Sequence, residues 1–301
     1  METLRLFILL TRPLFLLGVA LLYALGVGIA HYLGVLIRWE TYILGQLWVT
    51  LLQLSTHYLN EYYDAPMDQD NPNRTFLTGG SGAVGPGKLS RRVPLIAGLA
   101  TLTFLASLTV VLIANVQPDP VAYLIMGVAF VGAFFYSVPP VQLESTGYGE
   151  LTATLLVAFL VPAYAFVLQA GELHRLVAMS AFPLAALHLA MLVSLELPDY
   201  GTDLKHDKRT LIVRMGWERA MVAHNILILS AYLLLIIAAS FGYPWFATWP
   251  ALLTLPLGLL QIWQMRRIAS GAKPSWRALT LSAVALFTAM AYMMAFAFWI
   301  N

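Results

Sequence analysis

Two short acidic patches carry most of the chemistry available to this chain. The first reads Asn60-Glu-Tyr-Tyr-Asp64-Ala-Pro-Met-Asp68 and the second Asp199-Tyr-Gly-Thr-Asp203-Leu-Lys-His-Asp207. In both, oxygen-bearing side chains recur every fourth residue, a spacing that places them on one face of a helix. Asn60, Asp64 and Asp68 stack as one ladder; Asp199, Asp203 and Asp207 stack as a second. Like charges so close repel, and burial raises the cost further. A divalent cation relieves both penalties. Magnesium suits an all-oxygen donor set, keeps several waters, and is usually held by one or two carboxylates together with substrate phosphates. Two such ladders facing one another predict Mg2+ held by Asn60, Asp64, Asp68, Asp199, Asp203 and Asp207, with a diphosphate bridging the ions.

Cations follow the acids. Lys208 and Arg209 come directly after the second ladder, and Arg74 lies six residues beyond the first. Arginine can fork two bonds onto phosphate oxygens, whereas lysine acts as a point charge. These three are the candidate diphosphate-binding cations; Arg91, Arg92, Arg266 and Arg267 read as surface anchors. The run Thr78-Gly-Gly-Ser-Gly-Ala-Val-Gly-Pro-Gly87 could offer backbone N–H groups to phosphate, but lacks the GxxxxGK[ST] pattern of a P-loop. His57 and His188 fit no paired-histidine metal motif and read as packing or hydrogen-bonding residues. Tyr136 is the aromatic candidate for a substrate pocket; Tyr62, Tyr63 and Tyr200 suit an interfacial belt equally well.

The chemistry needs helices to carry it, and the composition says where they lie. Of 301 residues, 60% are apolar and only 11% charged, against about 25% charged in a soluble domain. Such a chain cannot cover itself with a water-compatible surface, so its solvent is the lipid bilayer. The absence of cysteine excludes disulfides, thiolate metal sites and cysteine nucleophiles. A net charge of +2 gives no footprint for nucleic acid. Runs of about 20 apolar residues, enough for one span, fall near 12–37, 41–63, 93–116, 120–138, 150–170, 176–197, 220–242, 245–265 and 277–300. An all-α polytopic membrane protein of nine transmembrane helices around a central cavity is expected, as a single domain over 1–301, with no cleavable signal peptide.

Two connections are long and polar, 64–92 and 198–219. With nine spans, 15 of the 17 Lys and Arg residues fall on one side, the exceptions being Arg38 and Arg175. Positive charge stays cytoplasmic, so the N-terminus and both acidic connections are expected there, in a cell membrane. Both acid patches follow an apolar helix and run into a connection rich in Lys, Arg and Gly, four helices apart, a pattern that hints at duplication. Taken singly, an Asp at a helix end is most simply a solvated loop charge. Here seven of only 15 acids (Glu61, Asp64, Asp68, Asp70, Asp199, Asp203 and Asp207) sit in the two patches, and ionisable groups at membrane depth mark function.

The pairing of Asn60-x3-Asp64-x3-Asp68 with Asp199-x3-Asp203 at the ends of spans resembles the UbiA superfamily of intramembrane prenyltransferases over nearly the whole chain. Asp203-Leu-Lys-His-Asp-Lys-Arg-Thr-Leu-Ile-Val-Arg-Met-Gly216, Tyr136-Ser-Val-Pro-Pro and Gly149-Glu150 are similar to its 1,4-dihydroxy-2-naphthoate prenyltransferase branch. The chain departs from that branch at Glu196 and Pro198, where Asn and Arg are common before the second motif, and at Asp207, where Gly is usual. The resemblance implies magnesium-dependent transfer of a polyprenyl chain from its diphosphate to a small aromatic acceptor, as in menaquinone biosynthesis. It implies that Asp64, Asp68, Asp199 and Asp203 are catalytic, and that Asn60, Arg74, Tyr136, Lys208 and Arg209 bind substrate. Other acceptors (4-hydroxybenzoate, homogentisate, a chlorophyllide, haem or a sugar phosphate) belong to the same superfamily. A secondary transporter is the alternative from another class, but transporters place ionisable groups near the bilayer midplane, not at span ends beside basic connections. A CDP-alcohol phosphotransferase would carry a DGxxAR pattern, which is missing.

Overall fold

The computed structural model describes residues 2–301, and among them it is all-helical. A short helix, α1 (Glu2–Leu10), precedes the long passes α2 (Pro13–Tyr32), α3 (Trp39–Asp68), α4 (Arg92–Val116) and α5 (Pro120–Ser137). The fifth pass is composite: α6 (Gly149–Thr154), a π-helical stretch Leu155–Leu160, and α7 (Val161–Ala170). Then come α8 (Arg175–Glu196), the short α9 (Tyr200–Lys205) and α10 (Leu211–Met215), α11 (Trp217–Ser240), a broken pass of α12 (Trp245–Leu252) and α13 (Leu255–Ala269), and α14 (Trp276–Ile300).

Local chemistry sets most of these boundaries. Pro13 and Pro120 occupy the first helical turn, where a missing N–H costs nothing; Asp119 caps α5 by accepting from the Val121 N–H at 2.9 Å. Gly171, at φ 79°, ends α7 in the left-handed conformation glycine adopts freely. Pro162 cannot donate into the helix and its ring crowds the carbonyl four residues earlier. The turn before it widens into the π stretch, a common resolution of such a conflict.

Eight of these passes are long and apolar enough to cross a membrane. α3 is the long helix that falls short of that apolar threshold. Its second half carries Gln53, Thr56, His57, Asn60, Glu61 and Asp64, and most of these polar side chains face a cavity rather than lipid. The outer surface is what lipid requires: on α4, Phe104 and Val110 keep 65% and 68% exposure. The chain is a multi-pass membrane protein.

Two apolar cores flank the cavity. One is built mainly from α8, α11 and α14 with one face of α2, the other from α3, α4, α5 and α7 with the opposite face of α2. α4 packs along α3, α11 along α8, and α14 along α2. The second pass, α3, and the sixth, α8, thus occupy matching positions. Their acidic ends come to the same end of the bundle, where the long connections close over them.

Candidate active site

One cavity of about 300 Å3 is lined by Asn60, Asp64 and Asp68 from α3 and by Asp199 and Asp203 from the connection after α8. The two acid sets therefore open into a common space. The first ladder is helical as its spacing predicts: α3 runs one turn past the expected end of its span and carries all three residues, with Pro66 inside its last turn. The second is not one helix. α8 stops at Glu196, two residues before Pro198. Asp199 then stands just before α9 without a side-chain capping bond, Asp203 lies within α9, and the helix ends before Asp207.

Asp207 does not join the set. Its backbone is left-handed at φ 53°, its side chain is 84% exposed, and its partner is Arg209 Nε at 3.2 Å. The chain has left the helix by this point, so the four-residue spacing no longer imposes a common face. Arg209, 65% exposed in the same pair, also lies outside the cavity lining. Arg74 is the third displacement. Its guanidinium fills the space beside Gly82, where a Cβ would come within 1.3 Å of it, so Arg74 supports the glycine-rich connection from behind. Asp70 faces outward, paired with Lys205 at 2.9 Å and His206 at 3.1 Å.

Lys208 behaves differently from its neighbour. Its ammonium reaches Asp64 Oδ2 at 2.7 Å and Glu144 Oε2 at 3.7 Å, with only 14% of the side chain exposed. Burial opposes its charge, but Asp64, Glu144 and Asp203 more than offset this and hold the ammonium above its ordinary pKa. Tyr136 lines the cavity beside Glu144 and Lys208. His57 and His188 line it too, and each is engaged elsewhere: His57 Nδ1 with the Thr11 carbonyl and His188 Nδ1 with Thr154 Oγ1, both at 3.0 Å.

Three further residues complete the constellation. Arg12, which from sequence entered only the count of cations on one side of the membrane, donates through Nη2 to Asn60 Oδ1 and to Glu61 Oε2, both at 3.1 Å. Asn60 in turn donates to Asp64 at 3.0 Å and to Glu144. Asn71 donates to Asp199 Oδ1 at 2.6 Å, and the Gly79 N–H donates to Asp199 Oδ2 at 3.1 Å. The connection after α3 thus holds Asp199 of the second acid set. It is itself held by Glu61, which accepts from the Ser81 N–H at 2.8 Å and from Ser81 Oγ at 2.6 Å. Gly80, at φ 72°, passes so close to Asp68 that a Cβ there would meet its carboxylate at 2.3 Å. Glu61, counted with the ladder acids, is therefore a strut and not part of the lining.

Asp203 and Asp68 have no hydrogen-bond donor among the described residues. Burial, reinforced by Asp199 and Asp64 against the pull of Lys208, pushes the Asp203 carboxyl up to about 7. Burial also raises Asp199, to about 6, despite its bonds from Asn71 and Gly79. Carboxyls so reluctant to ionise, facing others across one space, suit a hard dication. Among the described residues no three acidic or histidine side chains close into a cage of their own; magnesium bound through substrate phosphates and water needs none.

A family model for the UbiA prenyltransferase family matches residues 19–284. The chain belongs to the UbiA prenyltransferase family. It is 26% identical over 218 residues to the 1,4-dihydroxy-2-naphthoate octaprenyltransferase of Escherichia coli K12, covering 71% of this chain and 70% of that one. Its fold is similar to a UbiA homolog from Archaeoglobus fulgidus bound to GPP and Mg2+, with TM-score 0.70, 19% identity, and coverage of 98% of this chain and 100% of that one. A UbiA homolog from Aeropyrum pernix K1 superposes with TM-score 0.62 at 15% identity, over 93% and 96% of the two chains. Membership makes the chain an intramembrane prenyltransferase by family, and the nine expected passes exceed the eight helices that are apolar enough to cross a membrane by one, the polar helix α3.

Proposed function

We propose that this protein transfers a polyprenyl chain from its diphosphate to a small aromatic acceptor, 1,4-dihydroxy-2-naphthoate being the acceptor best supported, in menaquinone biosynthesis. The observation that carries this reading is the shape and polarity of one cavity. Asp64, Asp68, Asp199, Asp203, Lys208 and Arg12 gather at one end, and the lining beyond them turns apolar, with Val49, Leu52, Ile125 and Leu160. A diphosphate with a hydrocarbon tail has that same division. The related E. coli enzyme supports the acceptor, and the A. fulgidus protein bound to GPP and Mg2+ supports the donor class and the metal.

In this reading Asn60, Asp64, Asp68, Asp199 and Asp203 hold Mg2+. Bound there, Mg2+ would supply neutralising charge to the departing diphosphate. Lys208 and Arg12 add fixed positive charge at the same end, which is electrostatic stabilisation aimed where charge develops. The bond between the allylic carbon and the diphosphate oxygen breaks, its electron pair leaves with the diphosphate, and an allylic cation remains. Tyr136, at the border of the polar and apolar regions, offers a ring face to that cation. The apolar lining excludes water that would otherwise capture it. An electron-rich acceptor ring supplies the pair for the new carbon–carbon bond, and the attacked carbon then loses the group it carried, a proton or, where it bears the carboxylate, carbon dioxide, whose bonding pair returns to the ring and restores aromaticity. The distribution of Lys and Arg supports a cytoplasmic position for this end and for the N-terminus, in a cell membrane.

The test is transfer from a labelled polyprenyl diphosphate in membranes containing the protein. The acceptor panel comprises dihydroxynaphthoate, 4-hydroxybenzoate and homogentisate, with and without EDTA. Dihydroxynaphthoate is expected to be the preferred acceptor, with EDTA abolishing turnover and added magnesium restoring it. Turnover undiminished by EDTA would overturn the metal assignment, and preference for another acceptor would overturn the acceptor.

A further inference from the structure

Next to the acids, α3 turns a second polar strip toward the cavity. Gln53, Thr56 and His57 stand at i, i+3 and i+4, so they share one face of the helix, and all three line the cavity. Each spends its hydrogen on a backbone carbonyl. Gln53 Nε2 donates to the Phe15 carbonyl at 3.1 Å, and Thr56 Oγ1 donates to the Leu52 carbonyl at 3.0 Å. His57 Nδ1 meets the Thr11 carbonyl at 3.0 Å.

A carbonyl can only accept, and this fixes what is left over. The Gln53 amide turns its NH2 to Phe15, so Oε1 is the remaining atom; it is buried and has no partner among the described residues. The neutral His57 ring carries its proton on Nδ1, so Nε2 keeps its lone pair, and no donor among the described residues reaches it. Thr56 retains lone pairs and no free proton. The strip is polar yet offers only acceptors, whereas Val49 and Leu52, which line the cavity beside it, are apolar. Buried acceptors without a donor cost free energy, so the strip is complementary to a ligand that brings O–H groups. It also lies where the chemistry needs such a ligand. His57 is about 4.5 Å and Gln53 about 10 Å along the axis from Asn60, at 1.5 Å per residue. That is the level at which a carbon leaving the diphosphate meets its acceptor.

We infer that Gln53 and His57 receive the hydroxyl groups of the aromatic acceptor and so select a hydroxylated ring over its methyl ether or its quinone. The inference rests on the prenyl-transfer reading. A hydroxyl donates to Oε1 or Nε2; an ether or quinone oxygen brings lone pairs against lone pairs. A hydroxyl that donates to Nε2 also keeps more electron density on its oxygen, and hence on the ring that attacks.

The test takes the acceptor that the wild type turns over best, its O-methyl ether and its quinone, and compares wild type with Gln53→Leu and His57→Asn. The Asn side chain keeps an N–H for the Thr11 carbonyl but brings no acceptor to the place of Nε2. In the wild type the ether should lower kcat/KM about a hundredfold or more, because a site built to bond a hydroxyl rejects the analogue without it, and the quinone should not compete. In each variant the acceptor KM should rise about tenfold while the prenyl diphosphate KM stays within about twofold, and the hydroxyl-to-ether ratio should fall about tenfold. If Gln53→Leu fails to give a monodisperse protein in detergent, His57→Asn decides alone. Equal rises in both KM values, or a hydroxyl-to-ether ratio that stays at the wild-type value, would overturn the inference. A wild type that transfers no prenyl group to any hydroxylated ring would instead overturn the prenyl-transfer reading beneath it.

Discussion

Glu61 offers the sharpest separation between what its position in an acidic motif suggests and what its contacts do. It is 2% exposed and accepts from Arg12 at 3.1 Å and from Ser81 N–H and Oγ at 2.8 and 2.6 Å. Glu61→Ala removes the anion and leaves all three donors behind. Breaking one side of a buried ion pair costs roughly 3–5 kcal/mol. Arg12 keeps 22% exposure, so water recovers part of the loss and the low end, about 3 kcal/mol, applies. The backbone donor at Ser81 is buried and cannot be rescued as easily. Because Arg12 also holds Asn60, and the Ser81 connection holds Asp199 through Gly79, both acid sets should loosen together. The assay is the thermal midpoint in detergent beside steady-state kinetics with a prenyl diphosphate donor. We expect a clear fall in midpoint together with a rise in the donor KM. Glu61→Gln should fall between, since its amide keeps one acceptor but turns a donor toward another donor. An unchanged midpoint and an unchanged KM in Glu61→Ala would refute the strut role.

Other outcomes follow from the same geometry. Asp64→Ala or Asp199→Ala should abolish turnover while leaving expression intact; full activity in either would sink the site assignment. Asp207→Ala and Arg209→Ala should each stay within about twofold of wild-type kcat/KM, as exposed substitutions away from packed features usually do; a tenfold loss in either would return them to the site. Asn71→Ala frees one oxygen of Asp199 and should raise the magnesium concentration needed for half-maximal activity more than it lowers kcat, which a metal titration of the two proteins would show.

The reach of the primary structure can be judged residue by residue. The apolar runs placed the passes within a few residues, because a lipid-facing helix must be apolar along its length. The i, i+4 ladder at Asn60, Asp64 and Asp68 was legible for the same kind of reason: helical periodicity is local, and α3 continues through it. The second ladder failed at its third rung, since Pro198 ended one helix and the chain turned left-handed at Asp207. Arg12 and Glu144 were missed for want of any local spacing. They reach Asn60 across 48 and 84 residues of chain. The one available signal was scarcity, because in a chain with 15 acids a lone glutamate in a short connection already invites a reason.

What the sequence settled by itself was the solvent and the course of the long helices, properties of short segments whose energetics depend on neighbours within a turn or two. Only the tertiary structure decided which charges face inward. Lys208 and Arg209 are adjacent in the chain, yet one ammonium lies buried between Asp64 and Glu144 while the other residue's guanidinium sits in solvent. The same holds for Glu61 and Asp64, three residues apart on one helix, where the first anchors a connection and the second lines the cavity. A charge takes its role from the groups that meet it on folding, and those groups come from distant helices that no local pattern can name.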